Sequence, residues 1–352
     1  MATKPPVEVP QGAIRLNTDS QKLEFYAQDQ WWEMATDVPN LGGNGGPAAN
    51  PTGNSAETPS GSRGLFGGGY TPTATNRIDY ITIETTGNAV DFGDLTYTDN
   101  NVCSSAASRT RGMWFGGGTE PDAENNNINY ITIATTGNAA DFGDLTQARR
   151  GSAAVSSATR AVICGGRTPT IQNLMDYVTI ASTGHAKNFG DIIGKAGECS
   201  SMSPAASPTR GVLAGGTGPT NQRGISYITI STLGNDNDFG DLTYASNGTG
   251  GCSNSTRAIF RIREKDLIET IQIATRGNAT DFGTGPASIH GSWANSPTRG
   301  VFGTYINAPS PTALSNINYI SLQTGGNSID FGDLSETRKQ RNGGCSNNHG
   351  GL

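Results

Sequence analysis

The sequence predicts an all-β protein, a six-bladed β-propeller, and three observations carry that expectation. First, the phrase "YITIATTGNAADFGDLT" at 130–146 recurs in six versions starting at 80, 130, 177, 227, 270 and 319. The spacings are therefore 50, 47, 50, 43 and 49 residues, the range of propeller blades. Second, each copy alternates apolar and polar residues and is broken by glycine, the mark of short strands joined by tight turns. Third, the order of pieces points to a ring. The first copy opens at "SRGLFGGG" (62–69) with no strand before it, while the last is followed by "RNGGCSNNHGGL" (341–352), which matches "TGGCSNSTR" (249–257). The last strand is thus expected to complete the first blade.

One copy, residues 151–193, justifies the elements in order. "SAAVSS" is a short strand of small residues, and "RAVICGG" is an apolar strand ended by two glycines. "MDYVTIAS" sets Tyr177 and Thr179 against Val178 and Ile180, and "STGHAKNFGDI" is a turn leading into a fourth strand. A four-stranded sheet cannot bury both faces alone, and radial stacking solves that and shortens its edges. Gly87, Gly137, Gly184, Gly234, Gly277 and Gly326 stand where the hairpin needs positive φ. Phe92, Phe142, Phe189, Phe239, Phe282 and Phe331 are expected to pack between blades. Arg63, Arg111, Arg160, Arg210, Arg257 and Arg299 open the second strand of every copy, and a carboxylate recurs as Asp94, Asp144, Asp191, Asp241 and Asp333. Bidentate ion pairs between these Arg and Asp residues are expected to tie the scaffold together.

Composition narrows the function. Of 352 residues 49 are glycine, and charged residues make up only 15% with a net charge of −6. An acidic surface argues against nucleic acid as the partner. No run reaches the roughly 18 apolar residues of a membrane helix, so no membrane insertion is expected, and "MATKPPVEVPQG" lacks the apolar core of a signal peptide. Five cysteines without C-x-x-C spacing indicate neither a disulfide framework nor a zinc site. Cys103, Cys199, Cys252 and Cys345 read as small buried thiols near converging inner strands, and Cys164 lies on another strand.

Residues 1–35 follow other rules. "GAIRLNTDSQKLEFYAQDQWWEM" (12–34) reads as three strands carrying Ile14, Leu16, Phe25, Tyr26, Trp31 and Trp32 in a segment too small to bury them. These six residues are the expected attachment surface. Residues 36–61 are a Gly/Pro/Asn-rich linker, and 62–352 hold the propeller.

The pattern R-g-x-x-x-G-G, Y-I-T-I, D-F-G-D-L over residues 62–349 resembles the kelch repeat, though Phe stands for the kelch tryptophan and the fifth copy replaces its glycines with "RIREKDLIE" (261–269). The N-terminal G-x-I-R-x-N-T-D-x-x-x-L-E-F-Y-x-x-x-x-W, borne by Gly12, Ile14, Arg15, Asn17, Thr18, Asp19, Leu23, Glu24, Phe25, Tyr26 and Trp31 or Trp32, resembles modules of bacteriophage virion proteins. The repeated phrase is similar to structural proteins of phages of marine bacteria, including cyanobacteria. The resemblance implies a non-enzymatic virion component (a fibre, tail appendage or capsid decoration) assembled in the bacterial cytoplasm, with other virion proteins as partners of the N-terminal segment.

Signals for chemistry are weak. Three histidines, His185, His290 and His349, form no readable triad, and "GGNGG" (42–46) lacks the Gly-Lys-Ser of a phosphate loop. No catalytic residue, cofactor or metal is expected, although paired carboxylates such as Asp91 and Asp94 could in principle hold Ca²⁺. The loops between second and third strands differ from copy to copy on an otherwise uniform scaffold, as recognition loops do. Asn125, Asn126, Asn127, Gln172 and Asn221 are the candidate binding residues there, suited to the hydroxyls of a host-surface glycan. The rival expectation is a carbohydrate-binding or sugar-acting propeller unattached to any particle.

Overall fold

The computed structural model describes residues 13–17, 22–27, 30–33, 62–71, 73–99, 104–119, 123–194, 199–247, 250–262, 265–285, 289–290, 292–303, 305–306, 314–338 and 343–352. The chain divides into two units, residues 1–60 and 61–352. In the first, Ile14–Asn17, Lys22–Ala27 and Gln30–Glu33 form a three-stranded antiparallel sheet. Its register sets Ile14 opposite Phe25 and Phe25 opposite Trp32, with Tyr26 opposite Trp31. The Tyr26 and Trp31 rings meet edge to face at 5.3 Å, and Ile14 is 62% exposed.

The second unit is a six-bladed β-propeller, with no α-helix among the described residues. Blade 2 is typical: its strands run from the centre outward as Ser104–Ala107, Arg111–Phe115, Asn127–Thr132 and Ala140–Asp144. Blade 1 takes its innermost strand from the far end of the sequence. Gly343–Ser346 pairs antiparallel with Arg63–Gly67, setting Cys345 opposite Leu65. Each inner strand lies against the next, and Gly343–Ser346 lies against those of both blade 2 and blade 6.

The recurring residues now have physical reasons. The second strands are buried on both sides, as in Arg160–Cys164, because a neighbouring blade covers each face. This is why they read as unbroken apolar runs. In the third strand one face alternates to solvent: Val178 and Ile180 are buried while Thr179 is exposed. Between third and fourth strands every blade has a register shift, as between Ile128 and Asn129, where Ile128 faces Gly143 but Asn129 faces Asp141. The extra residue is the Phe of D-F-G. A β-bulge of this kind re-aims a side chain, and each Phe enters the seam with the following blade. Phe142 packs with Val178 and Ile180, Phe189 with Ile228 and Ile230, and Phe331 of blade 6 with Ile81 and Ile83 of blade 1. One apolar cluster per seam replaces a single central core.

Glycine is required at the bulge for a second reason. A Cβ on Gly143 (φ 143°) would lie 2.6 Å from the carbonyl of Gly184 in the next blade's hairpin. That closeness permits the Gly184 N–H to donate to the Phe142 carbonyl at 2.8 Å, and equivalent bonds occur at all six seams. The hairpin glycines themselves have positive φ in all six copies, as the sequence indicated.

The expected Arg–Asp ion pairs are not what the repeated arginines form. Each Arg donates through Nη1 to main-chain carbonyls of the following blade: Arg63 to Ile133 at 2.6 Å, Arg111 to Ile180 at 2.7 Å, Arg210 to Ile273 at 2.7 Å and Arg299 to Glu84 at 2.8 Å. The guanidinium also covers the blade's own tyrosine, 4.5 Å from the Tyr80 ring and 4.3 Å from that of Tyr227. In blade 5, where Thr270 replaces the tyrosine, Arg257 lies over Phe282 instead. The carbonyls at the end of a third strand lack ladder partners, and the Arg donors satisfy them.

Candidate functional site

Three places on the propeller could carry function: the central channel, the rim of variable loops and the seams between blades. The channel is built by the inner strands, whose Ser, Ala, Gly and Cys side chains permit six strands to converge. It leaves a cavity of about 70 Å³. Hydroxyls and one amide stitch neighbouring strands across it. Ser253 donates to the Ala206 carbonyl at 2.7 Å, Ser346 to the Asn295 carbonyl at 2.6 Å, and Ser156 to the Ala107 carbonyl at 2.9 Å. Asn295 Nδ2 donates to the Ser253 carbonyl.

Residues 347–352 then fill one end. His349 belongs to this turn and not to the final strand, which stops at Ser346. Its Nε2 donates to the Ala107 carbonyl at 2.8 Å and lies 3.2 Å from Ser156 Oγ. Its Nδ1 accepts the Gly351 N–H at 3.1 Å. The ring is therefore neutral with its proton on Nε2, and burial pulls its pKa down to about 4. Gly350 and Gly351 have no room for a side chain. A Cβ on Gly350 would come within 2.5 Å of the Ala206 carbonyl, and one on Gly351 would meet Ser156.

The thiols are inert by the same physics. Cys164, Cys199, Cys252 and Cys345 are all buried, and desolvation pushes Cys199 and Cys345 up to about 12 and the other two higher. Cys252 and Cys345 line the channel, whereas Cys199 packs with Met202 and Ile192 away from it. Cys103 lies outside the described residues. No group of three or more His, Cys, Asp or Glu side chains suited to a metal occurs among the described residues.

At the variable rim, the candidate residues divide. Asn125, Asn126 and Asn127 are half-buried and hold the loop in shape. The Asn125 side chain accepts the Asn127 N–H at 3.2 Å, and the Asn126 carbonyl accepts Leu145 N–H at 2.7 Å. The Asn125 carbonyl also accepts Arg149 N–H, which fastens the loop to the connection between blades. Gln172 Nε2 donates to both the carbonyl and hydroxyl of Thr170, a bond Gln222 repeats with Thr220. Asn221 is exposed in that neighbouring hairpin. The five candidates thus occupy three different blades, and the Asn125 and Gln172 side chains serve the loops themselves. Of the attachment residues, Ile14 is exposed and Trp31 half-buried in the separate three-stranded sheet; the side chains of Leu16, Phe25 and Trp32 lie outside the description.

At the seams sits a set of polar residues that the repeat reading passed over. The residue before the third-strand aromatic is Asp79, Asn129, Asp176, Ser226, Glu269 or Asn318, and the first five are fully buried. It receives the end of the preceding blade's outer strand: Asp176 takes the Thr146 hydroxyl at 2.7 Å, Asp79 the Ser335 hydroxyl at 2.5 Å, and Asn129 the Thr96 N–H at 2.8 Å. Where the residue is Asp, that preceding blade supplies a buried arginine. Arg149 lies 2.9 Å from Asp176, and Arg338 lies 2.9 Å from Asp79. Burial raises the Asp79 pKa, and Arg338 only partly offsets it. The signal was present in the sequence as a polar residue at one fixed position of the third strand, just before its aromatic or Thr270, with Arg three residues after D-L-T or D-L-S in two copies.

No family model and no curated protein matches this chain. No helix among the described residues is long and apolar enough to cross a membrane.

Proposed function

We propose that this chain is a non-enzymatic structural protein of a bacteriophage virion, in which the N-terminal sheet docks on the particle and the propeller is displayed. The observation that carries this reading is the N-terminal unit. Its three strands, of four, six and four residues, form one sheet with an exposed Ile14 and a Tyr26–Trp31 pair. So few residues rarely stabilise themselves without a partner surface, and the segment's motif resembles virion modules. The propeller's construction agrees with a display role. Its channel, at about 70 Å³, is far below the ~300 Å³ at which small-molecule sites begin. Any ligand would therefore be met on the rims, where a host-surface glycan fits the loop chemistry best. Removal of residues 1–35 tests the reading: the remaining chain should fold with an unchanged melting temperature yet be missing from purified particles. Incorporation at the normal copy number would refute docking through this segment.

A further inference from the structure

One hairpin departs from its five counterparts at the rim opposite the variable loops. In five blades the residue after the turn glycine is Asn88, Asn138, Asn235, Asn278 or Asn327, whose Oδ1 accepts a main-chain N–H from the preceding blade. In blade 3 the residue is His185, and its Nδ1 takes over that role, accepting the Asp144 N–H at 3.1 Å. The Asp144 carboxylate lies 3.3 Å from the same nitrogen. The neutral ring accepting that N–H carries its proton on Nε2, and the cation pairing with Asp144 carries one on each nitrogen. Nε2 is a hydrogen-bond donor in both states.

The side chain is 76% exposed and borders a groove of about 530 Å³ formed by this hairpin and Phe142 of blade 2. That volume is in the range that holds a small ligand. Lys187, Thr179, Ser182 and Thr183 supply an ammonium and three hydroxyls beside the half-buried Tyr177. Lys187 stands opposite Tyr177 in the strand register, on the same hairpin as His185. The one carboxylate in contact with His185, that of Asp144, lies at its Nδ1 edge, away from Nε2.

We propose that this groove binds a carboxylate-bearing sugar, with Lys187 pairing the carboxylate, His185 Nε2–H donating to a ring or hydroxyl oxygen, and the hydroxyls completing the contacts. The ammonium selects an anion, the hydroxyls and Nε2–H suit its oxygens, and the half-buried Tyr177 offers an apolar edge to the C–H face of a pyranose. The assignment is independent of where the chain sits in a particle.

The test titrates the full-length protein with trigalacturonate and, separately, with the neutral galactose trimer, read by calorimetry and by the His185 ring signals in NMR. The other five blades supply a fold-neutral variant, His185→Asn, and Lys187→Met removes the ammonium. Expected are saturable binding of trigalacturonate with a shift of the His185 Cε1–H signal, and a loss of roughly tenfold in affinity for each variant. The neutral trimer should bind at least ~tenfold more weakly. Absence of saturable binding, equal binding of the neutral trimer, or unchanged affinity in both variants would overturn the proposal.

Discussion

The imidazole of His349 sits where six strands converge, and its hydrogen bonds admit only the neutral ring. Burial lowers its pKa to about 4, whereas the unfolded chain titrates near the ordinary value of about 6.5. As pH falls below ~6.5 the unfolded state takes up a proton that the folded state refuses, so stability drops between about 6.5 and 4 and is fully present above that window. A full shift of this size corresponds to about 3 kcal/mol, and the solvent contact the ring retains trims that to about 1–3 kcal/mol. Urea unfolding of the parent and of His349→Gln, measured from pH 7.5 to 4, should show a steeper acid loss in the parent. Parallel curves would mean that the ring is not held neutral. The repeated arginines teach a different lesson at the same scale. Their position was legible in six copies, but counting charges pairs them with Asp, while in the fold unpaired carbonyls at strand ends claim them.

Strands were the most legible elements, because alternation and double glycines mark their faces and ends in every copy. The sharing of blade 1 between the two ends of residues 62–352 was also readable, from the order of pieces alone. Two features escaped the reading, for different reasons. The turn of residues 347–352 occurs once, and its fit depends on Ser156 and Ala107, nearly 200 and more than 240 residues away. The bulge that seats each Phe was hidden because D-F-G names its residues without showing that one of them is unpaired. Deleting residues 341–352 removes both the inner strand of blade 1 and the turn. Arg63–Gly67 would then present a bare edge, and the cluster holding Cys345 with Leu65, Trp114 and Ile131 would lose a member. The shortened chain should aggregate, or melt more than 10 °C earlier, on the order expected from losing several kcal/mol of packing. A monodisperse product with the parent melting temperature would contradict the pairing of that strand with blade 1.

At the scale of the whole molecule, six similar seams are held by the same three devices, a bulged Phe, an Arg on carbonyls and an Asn or His on a main-chain N–H, and five of them add a buried polar residue on the third strand. Such uniformity leaves individuality to loops and to single departures such as His185. Under the proposed role, the N-terminal sheet, a unit by itself, is the part that docks. Lysines mark both units for cross-linking: Lys4 and Lys22 in the first, and Lys187 and Lys265, both exposed, on the propeller. Under the proposed virion role, the most direct measurement is cross-linking mass spectrometry on purified particles of the phage that encodes this chain. The account predicts that the chain is present, with Lys4 or Lys22 joined to another particle protein and Lys187 and Lys265 left unlinked to the particle. A chain absent from the particles, or one attached through its propeller while Lys4 and Lys22 link to nothing, would contradict it.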